Sequence, residues 1–267
     1  MRKTLFSGIA ACLLATAATA AEQSPSVIWT VGQADRSASE FALAPDRFRD
    51  FLANDFGYED KYFLVGHSVP AADFPYVLPG PADTWGGTWP TSGWRTHQVN
   101  ILFGLKEIPS DGTCTLVVDL LDYAKNFLPL VKVSVNTQDA KFQLDAPGLS
   151  VADQRKPNQM EKIVDTLSIT GNLAKATPRR LEIPIRPGVL KAGGNEVTIT
   201  VLEGSWILFD RVSLEGPAGT NVEQPQQLFI RNIEAAPYEL ADGKRRVQPL
   251  LVDLEWLEGA PALSVEL

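Results

Sequence analysis

Histidine, cysteine and methionine are scarce in this chain, at two residues each among 267. With only His67 and His97, a histidine-based metal centre or acid–base pair has little to draw on. Of the two cysteines, Cys12 lies in the N-terminal leader described below and Cys114 stands alone in the body, so no internal disulfide can form. Cys114 sits in the strand-like run 113–117 and is expected to be a small buried residue rather than a nucleophile. Positive charge is also short. Lys plus Arg number 24 against 32 Asp plus Glu, a net charge of −8 that deepens by two if Arg2 and Lys3 leave with the leader. Such a chain has no electrostatic footprint for nucleic acid or anionic lipid. No HExxH, CxxC, Gly-x-Ser-x-Gly, phosphate-loop or dinucleotide pattern occurs. These absences exclude nucleic-acid binding and a multi-span membrane protein. They do not choose between an enzyme and a binding module.

The N-terminus has the parts of a secretory signal. Arg2 and Lys3 precede an apolar, uncharged stretch from Leu5 to Ala17, and Ala18-Thr19-Ala20 is a small-x-small cleavage site. The apolar stretch is short for a span of about 20 residues. Ile9-Ala10-Ala11-Cys12 resembles a lipidation box but leaves too short an apolar run before the cysteine. Residues 1–20 are therefore read as a cleaved signal, and the protein as periplasmic or secreted, with no membrane contact beyond export.

The body, with 45% hydrophobic and 21% charged residues, is globular and long enough to build a core unaided. Period-two alternation recurs, as in Val131, Val133 and Val135, in Leu181, Ile183 and Ile185, in Val197, Ile199 and Val201, and in Val252, Leu254 and Trp256. Further strands are expected at 26–31, 61–65, 96–105, 115–121 and 206–214, separated by turn signals such as 109–112, 192–195 and 242–244. The one short helix expected is 45–56, with Phe48, Phe51 and Leu52 on one face. Many strands between turns predict an all-β sandwich. Gly216-Pro217-Ala218-Gly219-Thr220 and Glu223-Gln224-Pro225-Gln226 have linker composition. The expected organisation is a jelly-roll domain over 22–216, a linker over 217–226 and a partial second β-domain over 227–267, because three strands are too few for a sandwich of their own.

Four segments in order carry a family resemblance. They are Ile28 to Ser37 leading to Glu40-Phe41, then Phe74-Pro75-Tyr76 with Trp94 to Phe103, then Leu190 to Ile199, and finally Ser205 to Asp210 with Val212 and Leu214. Together, over about 26–216, they resemble the carbohydrate-binding-module-like, galactose-binding-like jelly-roll domain of polysaccharide lyase family 4 rhamnogalacturonan lyases. Gly194-Asn195 is expected to supply the positive φ of the tight turn in the third segment. In those lyases the module follows a catalytic β-domain bearing a lysine and a histidine. Here it follows the signal directly, so the resemblance transfers no lyase activity onto residues of this chain. It implies a domain that holds plant-type polysaccharide, pectin or rhamnogalacturonan-like, beside a catalytic domain of the same parent protein. Jelly rolls of this kind often carry a structural calcium, for which Asp35, Glu40 and Asp210 are the candidate ligands. No other cofactor is called for.

Tyr76, Trp85, Trp89 and Trp94 fall in a tract rich in Gly and Pro that holds half of the six tryptophans. Indole faces suit the apolar faces of pyranose rings, and Asp83, Arg95 and His97 are placed to bond sugar hydroxyls. The same aromatics would equally plug the end of a sandwich. Asp55, Glu59, Asp60 and Asp73 are acids from which a hydrolytic pair could be drawn, although solvated loop charge explains them as well. The function expected is carbohydrate binding without catalysis by the chain itself. The alternative is a polysaccharide lyase or glycoside hydrolase, or the N-terminal fragment of one, with the catalytic part absent here.

Overall fold

The computed structural model describes residues 26–51, 62–83, 85, 98–108, 113–145, 167–223, 228–243 and 245–256, without the side chains of 228–234 and 253–256. In chain order the strands are β1 (Ser26–Gly32), β2 (Tyr62–Leu64), β3 (Val77–Leu78), β4 (Gln98–Leu105), β5 (Thr115–Tyr123), β6 (Leu130–Val135), β7 (Gln138–Gln143), β8 (Arg179–Pro184), β9 (Gly193–Glu203), β10 (Ile207–Gly216), β11 (Val222–Glu223), β12 (Leu228–Ala235), β13 (Leu240–Asp242), β14 (Arg245–Val247) and β15 (Leu250–Trp256). One sheet runs β1-β10-β5-β8 with β3 beside the start of β10. The other runs β11-β4-β9-β6-β7, with β2 parallel to β4 and the remaining pairs antiparallel.

The alternation in the sequence sets which faces meet. Val131, Val133 and Val135 are fully buried while Lys132 and Ser134 point outward, and Leu181 and Ile183 of β8 are buried while Glu182 is exposed. Both inner faces join one hydrophobic cluster, with Trp29 of β1 against Phe103 of β4 at 5.2 Å between ring centroids. The architecture is the all-β sandwich that the pattern predicts. Cys114 is a buried free thiol, and burial pushes its pKa up.

Three local details differ from the sequence expectation. Within 45–51 there is only a 3-10 turn, Phe48–Asp50, because Asp46 has φ +70 and cannot join a helix; residues 52–56 lie outside the described residues. The α-helix among the described residues is Pro70–Asp73. The stretch read as a linker returns to the sheet, where β11 pairs with the end of β4 and Val222 packs on the core. Beyond it, β12 pairs with β15 and β13 with β14, and Leu250, Leu251 and Val252 are exposed.

The turn into β9 takes its positive φ at Gly193 (+80°), one residue before the expected pair. Asn195, 2% exposed, does different work. Its Oδ1 accepts from Lys191 N and Asn136 Nδ2, and its Nδ2 donates to the carbonyls of Lys191 and Gly193, all at 2.8–2.9 Å. Asn136 in turn donates to Val189 O and accepts from Glu196 N. Removing the Asn195 amide leaves buried partners unsatisfied, so Asn195→Ala should cost about 2–4 kcal/mol in denaturant unfolding. Asn195→Asp, which cannot donate, should cost nearly as much. Wild-type midpoints for both variants would contradict this role.

Candidate functional site

The pairing registers bring the longer loops to one end of the sandwich. Gly32 pairs with Arg211, Tyr123 with Ile207, and Leu120 with Arg179, so β1 and β5 finish where β10 and β8 begin. Gln98 pairs with Thr200 and Leu130 with Glu203, which puts the starts of β4 and β6 at the same end. The segments after β1, around β3, after β5 and before β8 therefore meet around the tight β9–β10 corner, residues 204–206.

The corner is held by two close backbone approaches and two backbone hydrogen bonds. Gly204 has φ +82, and a Cβ there would lie 2.3 Å from Leu128 O. A Cβ on Gly80 would lie 2.5 Å from Gly204 O. Ser205 N donates to Phe127 O and Ala82 N to Gly204 O. Asp83 fastens the turn: one carboxylate oxygen accepts from Gly80 N at 2.8 Å, and the other accepts from the Ser205 hydroxyl. Burial pushes the Asp83 pKa up to about 6, partly offset by the Ser205, Gly80 and Trp85 hydrogen bonds.

This geometry decides the placement of the candidate sugar contacts. Tyr76 is 2% exposed, with its hydroxyl donating to Ile169 O at 2.6 Å, so it ties the β3 segment to the turn before β8 and offers no ring to solvent. Asp83 is equally committed inward. Neither supplies a polar or aromatic group to the outer loop surface, because β3 runs inside the sandwich end rather than over it. Trp85 is half-buried, with Phe48 and Phe51 edge-on at 5.0 and 6.2 Å, and Arg49 lies 5.1 Å above the Phe48 ring. Trp89, Trp94, Arg95 and His97 lie outside the described residues, as do Asp55, Glu59 and Asp60. Asp73 caps its own helix, accepting from Val69 N at 2.7 Å.

The opening loop and the closing strand do meet. A bulge in β10 between Phe209 and Arg211 turns Asp210 toward the loop, where it accepts from Arg36 N at 3.0 Å. Burial pushes its pKa up to about 6; the Arg36 bond opposes this, and the charges of Asp35, Asp119 and Glu40 add to it. Asp35 accepts from Ser37 N and Glu40 from Gln33 N, so each of the three acids closes a loop bond. Among the described residues no group of three or more His, Cys, Asp or Glu is placed to hold a metal ion. Sequence reasoning placed Phe48 and Phe51 only on a helix face, and it missed the small residues Ser37, Ala38 and Ser39, which line a cavity of about 200 Å³. The only signal of these three was a run of small side chains after β1.

Both raised carboxyls have one consequence for stability. A folded pKa near 6 against an ordinary 3.8 means that the folded state holds these protons more tightly. The stabilisation is full below about pH 4 and is lost as pH rises through about 6. Asp83→Asn keeps an acceptor for Gly80 N and a donor for Ser205. It should flatten the fall in melting temperature between pH 5 and 7.5, a difference of order 2 kcal/mol. Parallel pH profiles for the variant and the wild type would refute the assignment.

A family model described as CBM-like, polysaccharide lyase family 4, domain III, matches residues 27–214, from β1 to β10. No curated protein matches the chain. Among solved structures the chain is similar to a family GH115 4-O-methyl-α-glucuronidase with specificity for decorated arabinogalactans, at 16% identity and a TM-score of 0.26. That likeness covers 45% of this chain and 13% of that one. The family match takes in both sheets and the loop end between them: the chain belongs to the CBM-like domain family of polysaccharide lyase family 4, domain III.

Proposed function

We propose that this is an exported carbohydrate-binding protein that holds pectic, rhamnogalacturonan-like polysaccharide at the loop end of its sandwich and does not cleave it. The observation that carries the reading is membership of the CBM-like family over 27–214. It is supported by the gathering of the loops at one end, where Trp85 and Phe48 form a half-buried aromatic ledge with a guanidinium above it. Such a ledge joins apolar area to a few placed polar groups. Trp89, Trp94, Arg95 and His97 follow Trp85 in the chain and are the further sugar contacts expected from the sequence. The leader over 1–20 is the basis for export. A catalytic domain acting on the same polymer is the natural partner, and 227–267 is the segment assigned to a second β-domain.

The experiment is titration of rhamnogalacturonan oligosaccharides into the purified chain by calorimetry, with reducing ends and unsaturated uronate followed in parallel. Binding without product is expected. Trp89→Ala should weaken it by about tenfold, the loss of one stacked ring. Trp85→Ala should weaken binding and also lower stability by about 1–3 kcal/mol, since the ring is half-buried against Phe48 and Phe51. Turnover, or no binding to any pectic oligosaccharide, would overturn the proposal.

A further inference from the structure

Asp83 lies inside the β9–β10 corner, 7% exposed, at the end of the run Leu78-Pro79-Gly80-Pro81-Ala82-Asp83 that leaves β3. A proline on each side of Gly80 limits how this run can bend. Gly80 has no room for a side chain, because a Cβ would also meet Ser205 O and a Val201 methyl at 2.8 Å. The run is therefore pressed against the corner. There Asp83 Oδ2 accepts from Gly80 N, and Oδ1 accepts from the Ser205 hydroxyl.

The same carboxyl has a third partner. The indole of Trp85, two residues on, donates its N–H to Asp83. The rest of the ring meets Phe48 and Phe51 at interplanar angles of 75° and 73°. Aromatic contacts tolerate a range of offsets and tilts, whereas a hydrogen bond weakens steeply as it leaves its line. An indole has one polar group, so the bond to Asp83 is the directional contact that fixes where the ring sits. It links the half-buried ledge to the most tightly packed turn of the loop end.

Burial governs the proton on this carboxyl. Gly204 and Ser205 at the corner, and Phe127 and Leu128 behind it, are uncharged. The charged groups on the surrounding elements have other settings. Glu203 is exposed at the end of β9, and Lys125 is bound to Asp122 at 2.7 Å. Arg49 lies over the Phe48 ring, and Arg47 pairs with Asp50 at 2.9 Å. Desolvation accordingly pushes the Asp83 pKa up to about 6. Protonated, the carboxyl favours the closed corner. Ionised, it gains by admitting water, which means withdrawing from Ser205 and Trp85. The closed arrangement is therefore fully favoured below about pH 4 and loses ground as pH rises through about 6. Against the ordinary 3.8, this is worth about a hundredfold in the ratio of closed to open.

We infer that Asp83 is the positioning residue of the aromatic ledge: its carboxyl joins Trp85 to the β9–β10 corner, and its one proton decides how firmly the indole is held there. Asp83 touches no ligand and acts through Trp85. The inference deepens the proposed function and rests on the ledge being the sugar contact.

The test is an NMR titration of the full isotope-labelled chain from about pH 4 to 8. It follows the Trp85 indole N–H, identified by its loss in Trp85→Phe. The wild-type resonance should shift with a midpoint of about 6. Its protection against solvent exchange, corrected for the intrinsic rate, should fall by up to about a hundredfold over that range. In Asp83→Asn both should be flat. In Ser205→Ala, which removes a donor to the carboxylate, the midpoint should move to higher pH. A flat wild-type resonance overturns the inference, and so does the wild-type midpoint retained in either variant that folds. Rhamnogalacturonan oligosaccharides added to the same samples separate the two readings. Binding with a flat indole refutes the Asp83 coupling and leaves the carbohydrate reading standing. A titrating indole in a chain that binds none of them upholds the coupling and overturns the ledge as the sugar contact.

Discussion

The loop end of this protein depends on the backbone approach at the β9–β10 corner. Gly204 sits where three chain segments come together, and any side chain there would enter Leu128 O at 2.3 Å. With the corner fixed, Ser205 can reach both Phe127 O and Asp83, and Asp83 can hold the Gly80 turn against it. That turn fixes β3, whose residues Val77 and Leu78 pair with the start of β10. Tyr76, one residue before β3, then reaches Ile169 and sets the floor of the cavity. Phe74, fully buried, completes the arrangement by meeting Phe41, Phe63 and Phe209 at 5.1–5.7 Å. The opening loop is therefore laid on a base of aromatic rings whose position follows from one glycine.

The sandwich was legible in the sequence wherever one face of a strand meets water. In β6 and β8 the alternating burial matches the alternating residues one for one. The alternation fades in β4, where Val99 to Leu105 are all buried, because both faces of that central strand are covered. The edge strand β7, Gln-Asp-Ala-Lys-Phe-Gln, was missed since an edge strand with one open side carries little apolar signal. The candidate site was less legible. A Gly/Pro-rich tract suggests a surface loop, and that expectation fails for Tyr76 and Asp83. There Gly80 serves close packing rather than exposure. The cavity could not be read from the sequence, because residues 37–45, 76, 168–173 and 208 converge only through the topology.

Charge is distributed by the same logic. On the outer face of the first sheet, Asp119 of β5 lies between Arg211 of β10 and Arg180 of β8, at 2.9 and 3.4 Å. Glu215 and Glu182 close the group. Val117 and Ser213, on the same face, are 1% and 0% exposed. An ion-pair lattice of this kind keeps a flat sheet face polar and discourages association through it. Three acids are thus paired with two arginines at this face, while the cavity at the loop end is lined by neutral groups.

Ser26 pairs with Gly216, so the chain enters and leaves the sandwich side by side. Both crossings lie at the end remote from the loops, and β11 stitches the exit to β4 there. The ten residues of β10 span about 30 Å between the two ends. Any neighbouring segment on either side of the domain is therefore joined at the foot of the sandwich, a strand's length from the loop end. The distance between the chain's crossings and the loop end is thus set by a strand of fixed length rather than by a flexible leash.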